Sequence, residues 1–268
     1  MTGFRRRLAS RKDGFVPPKA KTWERWARHD PECIQVIDHG AWARFLDANL
    51  RDFEDGTTLV AYSRVSKADA GALDDYVNTM GRLPISQYAR GEQLAYWTNL
   101  YNARTVQLVL AYFPVDDLRQ LKISPGRFAF GPWDKKILII EGEHLSLNDV
   151  EHRILRPIWQ DNRLHYALNR AAIGSPNLLA EPFSAGNTEG LLDQAARGFI
   201  NHPRGVRIEE GRLFASRLYL WYEPDFGGSA KAVLDHLRKY AASVLGQELA
   251  AVQRIDAYEY YWELNEAP

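Results

Sequence analysis

The longest stretch of mostly apolar positions runs from about Gly91 to Phe113, where Pro114 stops it, and its spacing predicts a helix. One face of this helix carries Leu94, Trp97, Tyr101, Thr105 and Leu108, and the opposite face carries Tyr96, Ala103, Val106 and Leu110. A helix that is apolar on nearly all sides belongs inside a protein. Its few polar residues therefore matter, and Glu92 and Asn99 lie on one line because they are seven residues apart.

The rest of the pattern mixes helices with short strands. Residues 136–145 and 205–215 read as hairpins that turn at Glu141-Gly142 and at Glu210-Gly211. The other predicted elements are a helix over 39–46 with Asp38 as its N-cap, a turn-rich linker over 53–58, a short strand over 59–62, and helices over 66–81, 187–200 and about 228–245. Because no βαβ spacing occurs, the predicted fold class is α+β, a helix-rich single domain with short antiparallel hairpins.

A capping signal precedes the next helix. Ser146-Leu-Asn-Asp149 has the serine-x-x-acid form of a capping box, which predicts a helix that ends before Pro157. Glu151 projects near the apolar stripe of this helix. The pattern therefore predicts a partly buried carboxylate at this position.

Residues 163–168 alternate between apolar and polar side chains, which predicts a strand with His165 on its polar face. Ser175 and Pro176 then predict a helix start, with serine as the N-cap and proline at the first helical position. Ser175 is a candidate nucleophile if His165 reaches it as a base. The alternatives are that Ser175 is a structural cap and that His165 is a packed histidine, and spacing alone leaves both open.

Other polar residues are candidates to support such a site. Glu92, Asn99 and Glu151 could orient a catalytic histidine, which needs a third group to fix its tautomer, or they form a satisfied buried polar network. His152 and Arg156 are four residues apart and suggest an anion or metal site. Because Glu151 and His152 are adjacent and point in different directions on a helix, no metal site is predicted. No nucleotide-binding or metal-binding motif occurs, and no cofactor is expected.

Composition excludes only a few classes of partner and site. Hydrophobic residues make up 46% of the 268 positions, and 34 acidic residues balance 34 basic ones. Duplex binding normally needs a basic surplus, so no nucleic-acid partner is expected. The 8 Trp and 13 Tyr residues suggest aromatic packing between elements or a groove with polar-tipped walls. Cys33 is the only cysteine, which rules out an internal disulfide and a cysteine-built zinc site.

The N-terminal residues 1–22 are predicted to be a basic flexible tail, and residues 23–268 a single domain. The patch Arg5–Lys12 could also contact a membrane surface, a third and weaker functional hypothesis. No apolar run follows the patch, so neither a secretory signal nor a transmembrane segment is predicted. The sequence leaves the location open: a soluble protein that is cytoplasmic as the sequence stands, or periplasmic if an upstream signal has been removed.

Several segments together resemble the domain of unknown function 547 family of bacteria and plants. The matching pieces are Glu92–Ala103, Tyr112–Pro114, Pro132-Trp133, Leu145–Arg156, Arg163–Leu168, Gly174–Leu178 and Asp225–Gly228, in family order from about residue 40 onward. The resemblance implies the family's fold and no known reaction.

The resemblance also implies roles for individual residues. Family members carry Cys-x-x-x-x-Cys-Pro behind a histidine, and here Arg170 and Ser175 stand at the two cysteine positions. A kinship with papain-like and NlpC/P60-like thiol hydrolases, and with it a papain-like fold, implies His165 as the base, Ser175 at the nucleophile position, and Glu92 or Glu151 as the orienting acid. A serine forms an anion far less readily than a thiol. A natural serine variant, a non-catalytic member and a deliberate cysteine-to-serine replacement therefore remain open.

Two main functions follow from these residues. The first is a hydrolase or acyl transferase that acts on an amide, a peptide or a thioester. The second is a catalytically inactive binding or scaffold module of the same fold, with Arg156 or Arg170 near the floor of a cleft suited to an anionic group. The candidate binding residues are Asn99, Asn102, Trp133, His152, Arg156 and Arg170. The expected partner is a small molecule or a peptide of unknown identity.

Overall fold

The computed structural model describes residues 15–126 and 130–268. The basic patch Arg5–Lys12 lies outside these residues. The end of the predicted tail lies against the domain, because the Lys21 N–H donates to the His152 carbonyl at 3.0 Å and Arg156 Nη1 donates to the Pro18 carbonyl at 3.0 Å. The boundary at residue 22 stays a prediction.

Ten α-helices are present in the part of the chain that the structure describes. They are α1 (Gly40–Asn49), α2 (Lys67–Gly81), α3 (Arg90–Tyr112), α4 (Leu147–Asp149), α5 (Arg156–Trp159), α6 (Leu164–Ala167), α7 (Thr188–Ile200), α8 (Arg217–Trp221), α9 (Ala230–Tyr240) and α10 (Ser243–Ala251). A π-helical stretch, Val150–Leu155, joins α4 to α5. Single 3₁₀ turns occupy Glu24–Ala27, Tyr62–Arg64, Ile85–Gln87, Leu118–Gln120 and Glu223–Phe226.

Seven short strands form three small sheets within the described residues. The strands are β1 (Leu50–Asp52), β2 (Thr58–Val60), β3 (Leu138–Ile140), β4 (Glu143–Leu145), β5 (Val206–Glu209), β6 (Arg212–Ser216) and β7 (Ala257–Glu259). β1–β2, β3–β4 and β5–β6 are antiparallel pairs, and β7 adds to β6 in parallel with Phe214 opposite Ala257. The predicted α+β class with short antiparallel hairpins is confirmed. The parallel strand β7 is an addition to it.

α3 is the centre of the larger of two clusters of buried apolar side chains. Both of its predicted faces are buried, with Tyr101 and Ala103 at 0% exposure and only Leu110 half-buried, which confirms the prediction of an interior helix. The second cluster lies between α7, α8, α9 and the β5–β6–β7 sheet. The site described below lies where segments from both clusters meet.

The capping box at Ser146 is confirmed, since its side chain accepts from the Asp149 N–H and the Asp149 carboxylate accepts from the Ser146 N–H. The predicted end of this helix before Pro157 is wrong. Helical structure continues through the π-helical stretch into α5, where Pro157 lies in the first turn. Pro157 has no N–H to donate, and the Arg153 carbonyl four residues before it accepts instead from the Trp23 N–H at 3.0 Å.

The predicted strand over 163–168 is also wrong, because residues 164–167 form the single turn α6. Alternation predicts a strand when one face is exposed and the other buried. Here every residue from Leu164 to Ala172 is buried, so the alternation does not report a half-exposed strand. A helical turn was equally compatible with the sequence.

Smaller differences concern element boundaries. Asp38 is not the N-cap of α1; His39 occupies that position, and the Asp38 carboxylate accepts from the Gly40 N–H. The predicted linker over 53–58 is part of the β1–β2 hairpin, and the helix over 228–245 is interrupted at residues 241–242 between α9 and α10. No described helix is long and apolar enough to cross a membrane.

Candidate functional site

Tyr222 lies fully buried at the end of α8, and charged and imidazole side chains surround its ring. The His165 ring is stacked on it, with 4.0 Å between ring centroids and 20° between planes. The guanidinium carbons of Arg156 and Arg170 lie 4.7 and 5.5 Å from the Tyr222 centroid. We call the set Glu151, His152, Arg156, His165, Arg170, Tyr222 and Asp225 the Tyr222 cluster.

His165 is paired with an aspartate that is distant in sequence. Its Nε2 lies 2.7 Å from Oδ2 of Asp225, which belongs to the 3₁₀ turn Glu223–Phe226. Gly227 and Gly228 follow this turn with φ of 98° and 72°, a left-handed backbone that favours glycine. An ionised carboxylate only accepts, so neutral His165 donates from Nε2 and keeps a lone pair on Nδ1. That Nδ1 is buried and has no hydrogen-bond partner among the described residues.

Arg156 links Asp225 to a second histidine. Its Nε and Nη2 donate to the two carboxylate oxygens of Asp225 at 2.6 and 3.0 Å, a bidentate pair. Its Nη1 lies 2.9 Å from Nδ1 of His152, which must accept and therefore places the proton of neutral His152 on Nε2. His152 Nε2 is 3.9 Å from Glu151 Oε2, too far for a hydrogen bond.

Glu151 and Arg170 form a buried ion pair at the other side of Tyr222. Arg170 Nη2 donates to Glu151 Oε1 and also to the Tyr222 hydroxyl at 2.6 Å. The second carboxylate oxygen of Glu151 accepts from the Tyr101 hydroxyl at 3.3 Å. The two charged side chains are 1% and 2% exposed, so Glu151 is wholly buried rather than partly buried as predicted.

Burial and neighbouring charges fix the protonation states of the cluster. Burial alone would raise the pKa of Glu151, but the positive charge of Arg170 outweighs it and lowers that pKa to about 2. Burial likewise opposes ionisation of Asp225, and the hydrogen bonds from His165 and Arg156 hold its pKa below the ordinary range. Burial lowers the pKa of His152 to about 4, and it lowers the pKa of His165 against the opposing effect of Asp225.

The cluster is therefore electrically balanced near neutral pH. Two guanidinium groups, Arg156 and Arg170, face two carboxylates, Asp225 and Glu151, and both histidines are neutral. No uncompensated charge remains for an ionic ligand. At the predicted anion site, the guanidinium groups of Arg156 and Arg170 are already paired with carboxylates of the protein itself.

Ser175 closes a turn and does not begin a helix. Its N–H donates to the Ala172 carbonyl at 2.9 Å, and the next helix starts only at Thr188, so the predicted helix start is wrong. Its hydroxyl accepts from the Arg170 N–H at 3.0 Å and bonds with the Tyr260 hydroxyl at 2.8 Å. The side chain is 0% exposed. Ser175 therefore does not lie at the positive end of a helix dipole.

The C-terminal segment explains why the chain turns here. The Gly174 N–H donates to the Tyr261 carbonyl at 2.8 Å, and the Ile173 N–H donates to the Glu263 carbonyl at 2.8 Å. A Cβ on Gly174 would lie 2.6 Å from the Tyr261 nitrogen, so only glycine fits this crossing. A Ser-Pro pair favours a helix start locally, but these long-range backbone bonds decide the conformation.

No hydrogen bond joins Ser175 to His165 among the described residues. Ser175 is held by Arg170 and Tyr260, whereas His165 is held by Asp225. The roles assigned to both residues stay predictions.

The three polar residues singled out on α3 bond to backbone groups. Glu92 accepts from the Ile37 N–H at 2.9 Å. Asn99 exchanges two hydrogen bonds with the backbone of Phe183, at 2.8 and 3.0 Å. Asn102 donates to the Ala167 carbonyl at 2.8 Å and accepts from the Asn169 N–H at 2.9 Å, which fixes the chain just after α6. None of the three is bonded to a side chain of the Tyr222 cluster within the described residues.

Trp133 lies in an aromatic group apart from the cluster. Its ring is 2% exposed and packs against Trp262 at 5.7 Å and Phe130 at 6.0 Å between centroids. Its backbone carbonyl accepts from the Asn148 N–H at 3.0 Å. These contacts fix the loop ahead of β3.

Sequence reasoning brought Glu151, His152, Arg156, His165 and Arg170 together as candidates, and the structure places all five in one cluster. It missed Tyr222 and Asp225 as site residues. Asp225 stood in the segment Asp225–Gly228 that carried the family resemblance, and an acidic residue before two consecutive glycines was the available signal. In the described part of the chain, no group of three or more metal-ligating residues is placed to hold a metal ion.

Residues 85–200 match the model of a family described as a protein of unknown function, DUF547. The resemblance seen in the sequence is thereby confirmed for a segment that includes α3, the π-helical stretch, α6 and Ser175. Tyr222 and Asp225 lie beyond it. No curated protein and no solved structure shows a significant match.

Proposed function

We propose that the chain acts as a catalytically inactive binding module of its family fold. The observation that carries this proposal is the closed state of the predicted nucleophile: the Ser175 hydroxyl is 0% exposed and engaged by Arg170 and Tyr260. A nucleophile needs a base within hydrogen-bond reach and a path for the substrate. Ser175 has neither in this conformation.

Arg170 supports the same conclusion. It stands at a position that the family resemblance assigns to cysteine, and its guanidinium fills the space between Glu151 and the Tyr222 hydroxyl. A buried ion pair of this kind is costly to open, because separating the charges leaves each one without compensation. The cluster therefore favours a structural role, holding the π-helical stretch, α6 and the turn at Asp225 in one arrangement.

The alternative function is a hydrolase with a His165–Asp225 acid–base pair. The observation that favours it is the geometry of that pair, in which Asp225 fixes the tautomer and leaves Nδ1 of His165 free to accept a proton. The Asp225 side chain is 23% exposed, so solvent reaches one end of the pair. Catalysis by this route requires an opening that exposes Nδ1 and brings a nucleophile to it.

Alkylation of a cysteine placed at position 175 separates the two functions. In a Cys33→Ser, Ser175→Cys double variant the only thiol is the one at position 175. If the chain is a binding module, the folded double variant is expected to react with iodoacetamide about 100-fold more slowly than the same variant unfolded in urea. The reason is that iodoacetamide reaches the buried thiol only through a local opening of the fold. The matched control is the unaltered chain, whose only thiol is the half-buried Cys33.

A hydrolase-like site predicts the opposite behaviour. The thiol at position 175 would then react faster than that of Cys33, since a neighbouring base increases its thiolate fraction. A further His165→Gln change would slow the reaction. Mass spectrometry of the modified peptides gives both rates, and circular dichroism checks that each variant is folded. Fast alkylation that depends on His165 overturns the proposed function.

A further inference from the structure

An open cavity of about 480 Å³ lies at the end of α5, apart from the buried Ser175. Its walls are Trp159 of α5, the turn over residues 160–163, Asp193 of α7, and Lys239 and Tyr240 of α9. Cavities of roughly 300–1,000 Å³ are the usual size for small-molecule sites.

One wall of this cavity is held in place by a single arginine. Arg163 donates to Asp161 Oδ2 at 2.6 Å, to Asp193 Oδ1 at 2.9 Å and to Glu189 Oε2 at 2.7 Å. The Tyr240 hydroxyl lies 3.4 Å from the same oxygen of Asp193. Asp161 and Asp193 are thereby fixed in position, and each retains lone pairs that can accept further hydrogen bonds.

The cavity is also lined by two donors that have no hydrogen-bond partner among the described residues. The exposed Lys239 ammonium has no carboxylate partner among the described residues, and it lies 4.9 Å from the Tyr240 ring centroid. The side-chain amide of Asn162 also has no hydrogen-bond partner within the described ranges. Carboxylate acceptors and unpaired donors consequently line the same space.

The chemistry of these walls selects a class of ligand. Three carboxylates, Asp161, Asp193 and Glu189, and three cations, Arg163, Arg197 and Lys239, lie in or beside the cavity and balance, so neither an anion nor a cation gains a net attraction. A hydroxyl group is both a donor and an acceptor, and it can donate to a carboxylate while it accepts from an ammonium or an amide. The half-buried Trp159 borders the same space, and the Arg90 guanidinium carbon lies 5.5 Å from its ring centroid.

We propose that this cavity binds a neutral polyhydroxylated ligand, a short oligosaccharide, with Asp161 and Asp193 accepting from its hydroxyls and Lys239 and Asn162 donating to them. The inference rests on the proposed binding function and names the ligand class of that function. It does not use Ser175 or the Tyr222 cluster.

Nuclear magnetic resonance titration of the full ¹⁵N-labelled chain tests the proposal. Cellotriose, maltotriose and chitotriose are added in separate titrations, and inorganic phosphate is added in a fourth. The side-chain N–H resonance of Trp159, assigned with a Trp159→Phe variant, is expected to shift and saturate with at least one trisaccharide and not with phosphate. Lys239→Met and Asn162→Ala are each expected to weaken that binding about tenfold, the usual effect of losing one hydrogen bond to a charged or polar group.

Lys231→Met is the matched control, because Lys231 lies on the same helix α9 and its ammonium is 84% exposed and paired with Asp235. It is expected to leave the affinity unchanged. The proposal is overturned if no trisaccharide shifts the Trp159 resonance, if phosphate alone shifts it, or if Lys239→Met binds as the unaltered chain does. If the titrations fail and the thiol at position 175 is alkylated slowly, only the saccharide proposal is overturned. If that thiol is alkylated fast, the proposed binding function is overturned as well.

Discussion

Arg170 donates to Glu151 in an ion pair that is almost wholly removed from solvent, and the same guanidinium nitrogen donates to the Tyr222 hydroxyl at 2.6 Å. The pair connects the π-helical stretch to the turn that carries Ser175, because the Arg170 N–H also donates to the Ser175 hydroxyl. One residue therefore determines both the charge balance of the cluster and the environment of the predicted nucleophile.

Removing one partner of this ion pair is expected to destabilise the fold strongly. Arg170→Met leaves the Glu151 charge buried without compensation, and we expect a loss of about 3–5 kcal/mol in the free energy of unfolding. Adding Glu151→Gln to it removes that charge, and the double variant is expected to be more stable than Arg170→Met alone. Urea denaturation of both single variants and the double variant measures this coupling.

The exposed pair of Lys231 and Asp235 on α9 supplies the control for that cycle. Its coupling is expected to stay below about 1 kcal/mol, because water screens exposed charges. Equal couplings for the two pairs would show that burial of the Glu151–Arg170 pair has no energetic consequence, which contradicts the account.

Ser175→Ala is expected to reduce stability by about 1–3 kcal/mol. The substitution leaves the buried Tyr260 hydroxyl and the Arg170 N–H without their partner. Ser243→Ala, at an exposed position of α10, is expected to change stability by less than about 0.5 kcal/mol. Thermal and urea unfolding measure both. A neutral Ser175→Ala would argue that this hydroxyl has no structural role.

Stability is expected to rise with pH between about 4 and 6.5. Burial lowers the pKa of His152 from 6.5 to about 4. Between these pH values this histidine is therefore protonated in the unfolded chain and neutral in the folded chain. The contribution is complete above pH 6.5 and is lost as the pH falls toward 4. Glu151, with its pKa lowered from 4.5 to about 2, extends the loss to lower pH.

His152→Gln isolates one part of this dependence. It is expected to reduce the slope of the unfolding free energy against pH over that range by up to about 1.4 kcal/mol per pH unit, which corresponds to one proton. Urea denaturation at several pH values gives the slopes for His152→Gln and the unaltered chain, and equal slopes would contradict the assigned protonation states.

The sequence predicted those parts of the fold whose determinants are local. Both hairpin turns have a non-glycine residue followed by glycine at positive φ, Glu141-Gly142 at 47° and 82° and Glu210-Gly211 at 52° and 74°. A two-residue type I′ turn needs positive φ at both central positions, and glycine at the second position favours it. α3 was predicted because its apolar spacing persists over many turns.

The site was predicted only in part because its contacts join distant segments. His165 and Asp225 are 60 residues apart, and Arg156 and Asp225 are 69 apart, so no local pattern reveals either pair. The turn at Ser175 depends on backbone bonds to the C-terminal segment, which compete successfully with the helix start that Ser175-Pro176 favours locally. Candidate residues could be named from the sequence, but their partners could not.

The central claim is that Ser175 is a structural residue of a binding module. Incubating the unaltered chain with a fluorophosphonate probe, which modifies activated serine hydroxyls, and measuring the intact mass tests it most directly. The account predicts no adduct at Ser175, because its hydroxyl is buried and bonded to Tyr260 and to the Arg170 N–H. A stoichiometric adduct at Ser175 that disappears in His165→Gln would contradict it.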